Sequence, residues 1–110
     1  MTATTYRAVV CEQLGPPEQL QLRDLAVAPL GAGMVRIAIH AAGVNFPDVL
    51  MIQGLYQHKP ELPFVPGMEV AGMVLECASD VRGIAIGAKV IVRLGTGGFG
   101  PMYVEDMEAV

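Results

Sequence analysis

From Met34 to Ala42 the chain alternates, with Val35, Ile37, Ile39 and Ala41 on one face and Met34, Arg36, Ala38 and His40 on the other. A period of two predicts a β-strand with one buried face. Leu20 to Leu25 also alternates, Leu20, Leu22 and Asp24 against Gln21, Arg23 and Leu25, as in a half-buried or edge strand. Arg7 to Cys11 is a short apolar run closed by the turn residues Gly15-Pro16-Pro17. Val70 to Ala78 and Lys89 to Leu94 predict two further strands, and Tyr103-Val104 begins a last one. The one helix expected spans Asn45 to Gln53: Asn45 offers a cap, Pro47 suits a first turn, and Asp48 complements the positive helix end. Phe46 with Leu50, and Val49 with Ile52, supply apolar pairs, and Gly54 stops the element. Pro60, Pro63 and Pro66 each lack a backbone donor, so the stretch from Tyr56 to Pro66 cannot be a central strand.

Strands never alternate with long helices, so no βαβ unit and no doubly wound sheet is expected. A mainly β domain fits, a small, partly open β-barrel or sandwich with one short helix and long Pro/Gly-rich connections. A length of 110 residues allows one such domain. Seven Lys plus Arg against eleven Asp plus Glu leave a charge of −4. The basic residues are scattered singly, which argues against a nucleic-acid footprint. No apolar run is long enough to span a membrane, and MTATTYRAVV lacks the basic and apolar regions of a signal peptide. Cys11 and Cys77 form no disulfide framework and read as reduced thiols. A cytoplasmic protein without membrane attachment is therefore expected.

Gly95-Thr96-Gly97-Gly98-Phe99-Gly100 follows a strand and satisfies G-x-G-x-x-G. Phosphate binding by that motif needs a helix opening at the last glycine. Pro101 and the β-like Tyr103-Val104 follow instead, so a glycine-rich turn is expected. His40 and His58 stand apart from each other and from both cysteines, without zinc-ligand spacing. Ser79, the single serine, lies outside any G-x-S-x-G turn, and the seven Met read as core filler.

AAGVNFPDVLMIQGLY and LPFVPGMEVAGMVLE carry a resemblance. Together with RAVVCEQLGPPEQLQLRDL and GAKVIVRLGTGGFGPMYVED, they resemble the N-terminal, GroES-like domain of the medium-chain dehydrogenase/reductase superfamily. Within it, the chain is most similar to the zinc-independent NADPH:quinone oxidoreductase branch. Zinc alcohol dehydrogenases carry G-V-C-H-[ST]-D and G-H-E segments whose Cys and His bind catalytic zinc. This chain reads Gly43-Val44-Asn45-Phe46-Pro47-Asp48 and Gly67-Met68-Glu69, with Asn45 for the Cys and Met68 for the His. An amide and a thioether replace thiolate and imidazole poorly on Zn²⁺, and the Cys-rich structural zinc lobe is missing. A metal-free site is expected.

The resemblance implies that the chain, residues 1–110, is the substrate-side catalytic domain, and that the dinucleotide binds mainly to a Rossmann domain following it. It implies a small-molecule quinone or enone substrate, NADPH as cofactor in the full-length enzyme, and a homodimer there. The Asn matching Asn45 and the Tyr matching Tyr56 lie near nicotinamide and substrate in that branch, which assigns both a catalytic role by hydrogen bonding and packing, and Asn45 a cofactor contact. Asp48 and Glu69 match acidic positions of the superfamily with structural roles. Leu50 stands where bacterial quinone reductases often have Tyr, and Ala88 replaces the acidic residue of a G-D-x-V turn. Two other functions fit the same residues: the equivalent domain of an enoyl-thioester reductase, and a stand-alone barrel used for binding or assembly. At 53% hydrophobic residues, the chain is expected to carry a face that something else covers, and to self-associate when alone.

Overall fold

The structure is a computed structural model that describes residues 5–98 and the main chain of 102–106. Its elements, in order, are β1 (Thr5–Val10), a 3-10 turn (Pro17–Gln19), β2 (Gln21–Ala26), β3 (Met34–Ala42), α1 (Phe46–Ile52), β4 (Glu69–Cys77), β5 (Lys89–Arg93) and β6 (Met102–Asp106). Each expected strand is present, with bounds moved by one or two residues. β1 and β2 pair antiparallel as a two-stranded sheet, and the other strands form an antiparallel sheet in the order β5-β4-β3-β6. The domain is mainly β, and its two sheets do not close into a barrel.

Two apolar clusters form the core. Val35, Ile37, Val70 and Val92 are packed on the larger sheet, where β3, β4 and β5 each turn one face inward. Cys11, Met51, Ile52 and Phe64 make the second cluster, with Leu20, Tyr56 and Met68 packed against it. Cys11 and Phe64 exchange main-chain hydrogen bonds at 2.8 and 3.1 Å, which ties the end of β1 to the proline-rich segment. Both cysteines are free, as expected, and burial pushes the Cys11 thiol above its ordinary value near 9.0. Protonation of that thiol therefore favours the folded state, a contribution constant at neutral pH and lost as pH rises through the alkaline range.

Both faces of β3 are covered at Arg36, which is expected on the polar face yet is only 4% exposed. The register shift beside it, Arg36↔Glu76 then Ile37↔Val74, puts the extra residue on β4, so β3 keeps its alternation there. The guanidinium is satisfied there: Nε donates to Glu76 Oε1 at 2.8 Å across β4, and Nη2 donates to the Ala28 carbonyl at 2.8 Å.

The helix is also faced differently from the sequence pattern. Asp48, Met51 and Ile52 are its buried residues, whereas Phe46 is 72% exposed. The expected Phe46–Leu50 pair is therefore not part of the core. So short a helix can bury only one stripe, and the second cluster takes the Met51–Ile52 side.

Candidate functional site

Strand pairing brings the two motif segments together. Ala42 at the end of β3 lies opposite Val70 near the start of β4, and Gly43 N–H extends the ladder by donating to the Glu69 carbonyl at 3.1 Å. Gly43-Val44-Asn45 thus leaves the sheet beside Gly67-Met68-Glu69. The Asn45 side chain donates from Nδ2 to Glu69 Oε1 at 3.2 Å. Met68, the neighbour of Glu69, packs on the second core cluster, as does Tyr56.

Asn45 is the N-cap of α1, in extended conformation at φ −123 and ψ 159. Its main chain is fixed by Asp48, whose Oδ2 accepts from Asn45 N–H at 2.8 Å, while Asp48 N–H donates to the Asn45 carbonyl at 3.0 Å. Asp48 is 3% exposed, and among the described residues its Oδ1 has no hydrogen-bond partner. Capping by a buried carboxylate makes Asp48 a structural residue. Asp48→Ala is expected to lower stability by about 1–2 kcal/mol, the usual worth of a helix cap, readable as a lower urea midpoint with unchanged slope.

The other sequence candidates disperse. His40 on β3 and His58 in the loop after α1 are both exposed. Among the described residues no three His, Cys, Asp or Glu side chains gather in a way that could hold a metal. The glycine-rich segment is a packing turn over residues 95–98. Gly97 N–H donates to the Val65 carbonyl at 2.7 Å and Gly98 N–H to the Gly67 carbonyl at 3.1 Å. A Cβ on Gly98 would sit 3.1 Å from Gly67 main chain, so close approach explains the glycine there. Phe99 and Gly100 lie outside the described residues, and the next described element is the strand β6, antiparallel to β3. A pyrophosphate cradle opening a helix has no counterpart at this turn.

The neighbours of Asn45 in sequence, Val44 and Phe46, are 74% and 72% exposed. A cleft of about 530 Å³ lies at the other end of α1, between Leu14, Met51, Lys59, Glu61 and Leu62. Asn45 and Tyr56 are not among its walls. Among the described residues no helix is long and apolar enough to cross a membrane.

The two-sheet β domain, with a capped helix between β3 and β4, matches a known family of domains. Residues 31–105 match the alcohol dehydrogenase GroES-like domain family. The chain belongs to that family, as an N-terminal piece of the medium-chain dehydrogenase/reductase superfamily. A quinone oxidoreductase-like protein 2 homolog of Nematostella vectensis is 46% identical over 95 residues, covering 86% of this chain and 26% of the relative. A probable oxidoreductase from Mycobacterium abscessus superposes with a TM-score of 0.87 at 36% identity, over 94% of this chain and 33% of that one. The quinone oxidoreductase of Thermus thermophilus, also solved with NADPH, gives 0.77 at 32% identity over 94% and 30%. The Etr1p structure, a complex with NADP and crotonyl-CoA, gives 0.79 at 25% identity over 94% and 32%. The chain thus spans about a quarter to a third of the length of these proteins.

Proposed function

We propose that this domain is the substrate side of an NADPH-dependent quinone oxidoreductase, working together with a dinucleotide-binding domain and without a metal. The observation that carries the reading is the chemistry of the two motif segments that pairing of β3 with β4 brings together. Asn45 stands in one and Met68, packed on the second core cluster, in the other, and neither is a good zinc ligand. Its relatives named for quinone oxidoreduction support the same reading.

When bound, a reduced nicotinamide supplies the hydride. Reduction of a simple ketone by hydride places charge on oxygen and benefits from a Lewis acid. A quinone or enone is already electrophilic, and its conjugated system spreads the incoming charge, so positioning and hydrogen bonds suffice. The chain's contribution is then an Asn45 amide oriented at the N-cap of α1, with the exposed apolar side chains of Val44 and Phe46 next to it in sequence. Tyr56 packs against the second core cluster, as Met68 does. The two unpaired thiols suit a reducing cytoplasm.

A second reading, reduction of an enoyl thioester, is favoured by the likeness to the complex holding crotonyl-CoA. An acceptor panel separates them. The two-domain enzyme is expected to reduce benzoquinones and naphthoquinones in the presence of a chelator, with crotonyl thioesters at least about tenfold slower and simple ketones inert. Faster turnover of the thioester would move the assignment to the second reading, and turnover of ketones that chelation abolishes would refute the metal-free site.

A further inference from the structure

We infer that Glu69 is the residue that sets the direction of the Asn45 amide, and that Gly43 is there to let it do so. The inference rests on the reading that Asn45 meets the ligand. Glu69 begins β4 directly opposite Arg93 on β5, a cross-strand position where an ion pair is the ordinary outcome. Among the described residues no such ion pair forms. The carboxylate turns instead to the other side, over Gly43, and accepts from Asn45 Nδ2 at 3.2 Å.

Gly43 makes this path available. A Cβ built there would overlap the Glu69 carboxylate. Gly43 is not among the glycines with positive φ, so conformational freedom is not what the position demands. The absent side chain is the required feature. It lets a charged group lie flat against the main chain between the sheet and the head of α1.

The chemical consequence follows from what each group can do. A carboxylate only accepts, so the amide must present nitrogen to it and not oxygen. Asn45 Oδ1, the acceptor end of the amide, is thereby turned away from Glu69. Asp48 holds the main chain of the same residue through its N–H at 2.8 Å, so both ends of Asn45 are fixed. The side chain is preset as an acceptor, and its complement is an N–H or O–H donor, as in a carboxamide or a hydroxyl. Without Glu69 the amide flips freely and offers either end.

Asn45 is the only asparagine in the chain, so selective labelling yields a single side-chain amide signal. Two-dimensional NMR of the labelled 110-residue chain is expected to show one of the two Nδ2 protons shifted and about fivefold or more slower to exchange than a free asparagine amide. Glu69→Ala and Gly43→Ala are both expected to return that proton to the free value, with the backbone spectrum otherwise retained. An unshifted, unprotected amide in the wild type, or one that either substitution leaves unchanged, overturns the inference.

A double-mutant cycle in the two-domain enzyme carries it to function. Glu69→Ala is expected to lower quinone-reductase kcat about 5–20-fold with KM within about twofold, and the double variant with Asn45→Ala to be no slower than Asn45→Ala alone. Additive losses, or full activity in Glu69→Ala while Asn45→Ala is impaired, refute the positioning role and leave the assignment of Asn45 standing. Full activity in Asn45→Ala removes that assignment and the inference together.

Discussion

On the proposed function, Asn45→Ala is expected to lower kcat/KM for quinone reduction by about 10–100-fold in the two-domain enzyme, while the domain stays folded. The size follows from the loss of one well-placed hydrogen bond to the reacting complex, at about 1.4 kcal/mol for each factor of ten. The stability at stake is that of an N-cap, about 1 kcal/mol, and among the described residues the one bond from the Asn45 side chain to another side chain is the exposed one to Glu69 at 3.2 Å. Helix α1 keeps its Asp48 cap, which binds the Asn45 main chain and not its side chain. Steady-state kinetics with a naphthoquinone, alongside a thermal melt, separates the two effects. A wild-type rate would reduce Asn45 to a helix cap. Tyr56→Phe serves as the comparison: the ring packs on the cluster of Met51, Ile52 and Phe64, and Phe preserves that packing. Its loss is expected to stay within about threefold, since only a hydroxyl disappears.

The second large effect concerns the fold. Gly72→Ala is expected to cost about 3 kcal/mol and to lower the thermal midpoint by roughly 10–20 °C. Gly72 is buried in β4, between Ile39 on β3 and Val90 on β5. A Cβ there would run into the main-chain carbonyl oxygen of Ala38 and lie 3.0 Å from Ile37 Cγ2. Neither neighbour can yield cheaply, because one is backbone within the ladder and the other belongs to the core cluster of Val35 and Val70. The strands must separate, or the irregular register between Ile39 and Ala41 must move. Gly43→Ala is the control, since the atom it meets is the end of a flexible side chain. That variant is expected to melt within a few degrees of the wild type. Equal, small losses in both variants would mean that the β3–β4 ladder tolerates what this packing forbids.

Much of the architecture is legible in the sequence because strand period, proline placement and glycine turns are local signals. β3 and β4 read directly from alternation, and α1 from Asn45, Pro47 and Asp48. The burial of Arg36 was not legible. It depends on Glu76 across the ladder and on a carbonyl, Ala28, that only the folded chain supplies. Nor was the exposure of Phe46, since a short helix shows two apolar pairs and packing alone selects one. At the site, sequence reasoning singled out Asn45 and Tyr56. It treated Glu69 as structural and gave Gly43 no role of its own. Their contact joins residues 26 positions apart in the chain, through the pairing of Ala42 with Val70. A signal was present in the two short motifs, Gly43-Val44-Asn45 and Gly67-Met68-Glu69, but nothing local states that they meet.

Chemistry at this site turns on whether an amide and a thioether can hold a metal. Zinc content, measured on the chain produced in zinc-replete medium, decides it. The wild-type protein is expected to carry far below one equivalent and to bind added Zn²⁺ weakly, while Asn45→Cys combined with Met68→His gains about one equivalent, with Glu69 near enough to assist. One tightly held zinc per wild-type chain, lost on substitution of Asn45 or Met68, would contradict metal-free hydride transfer.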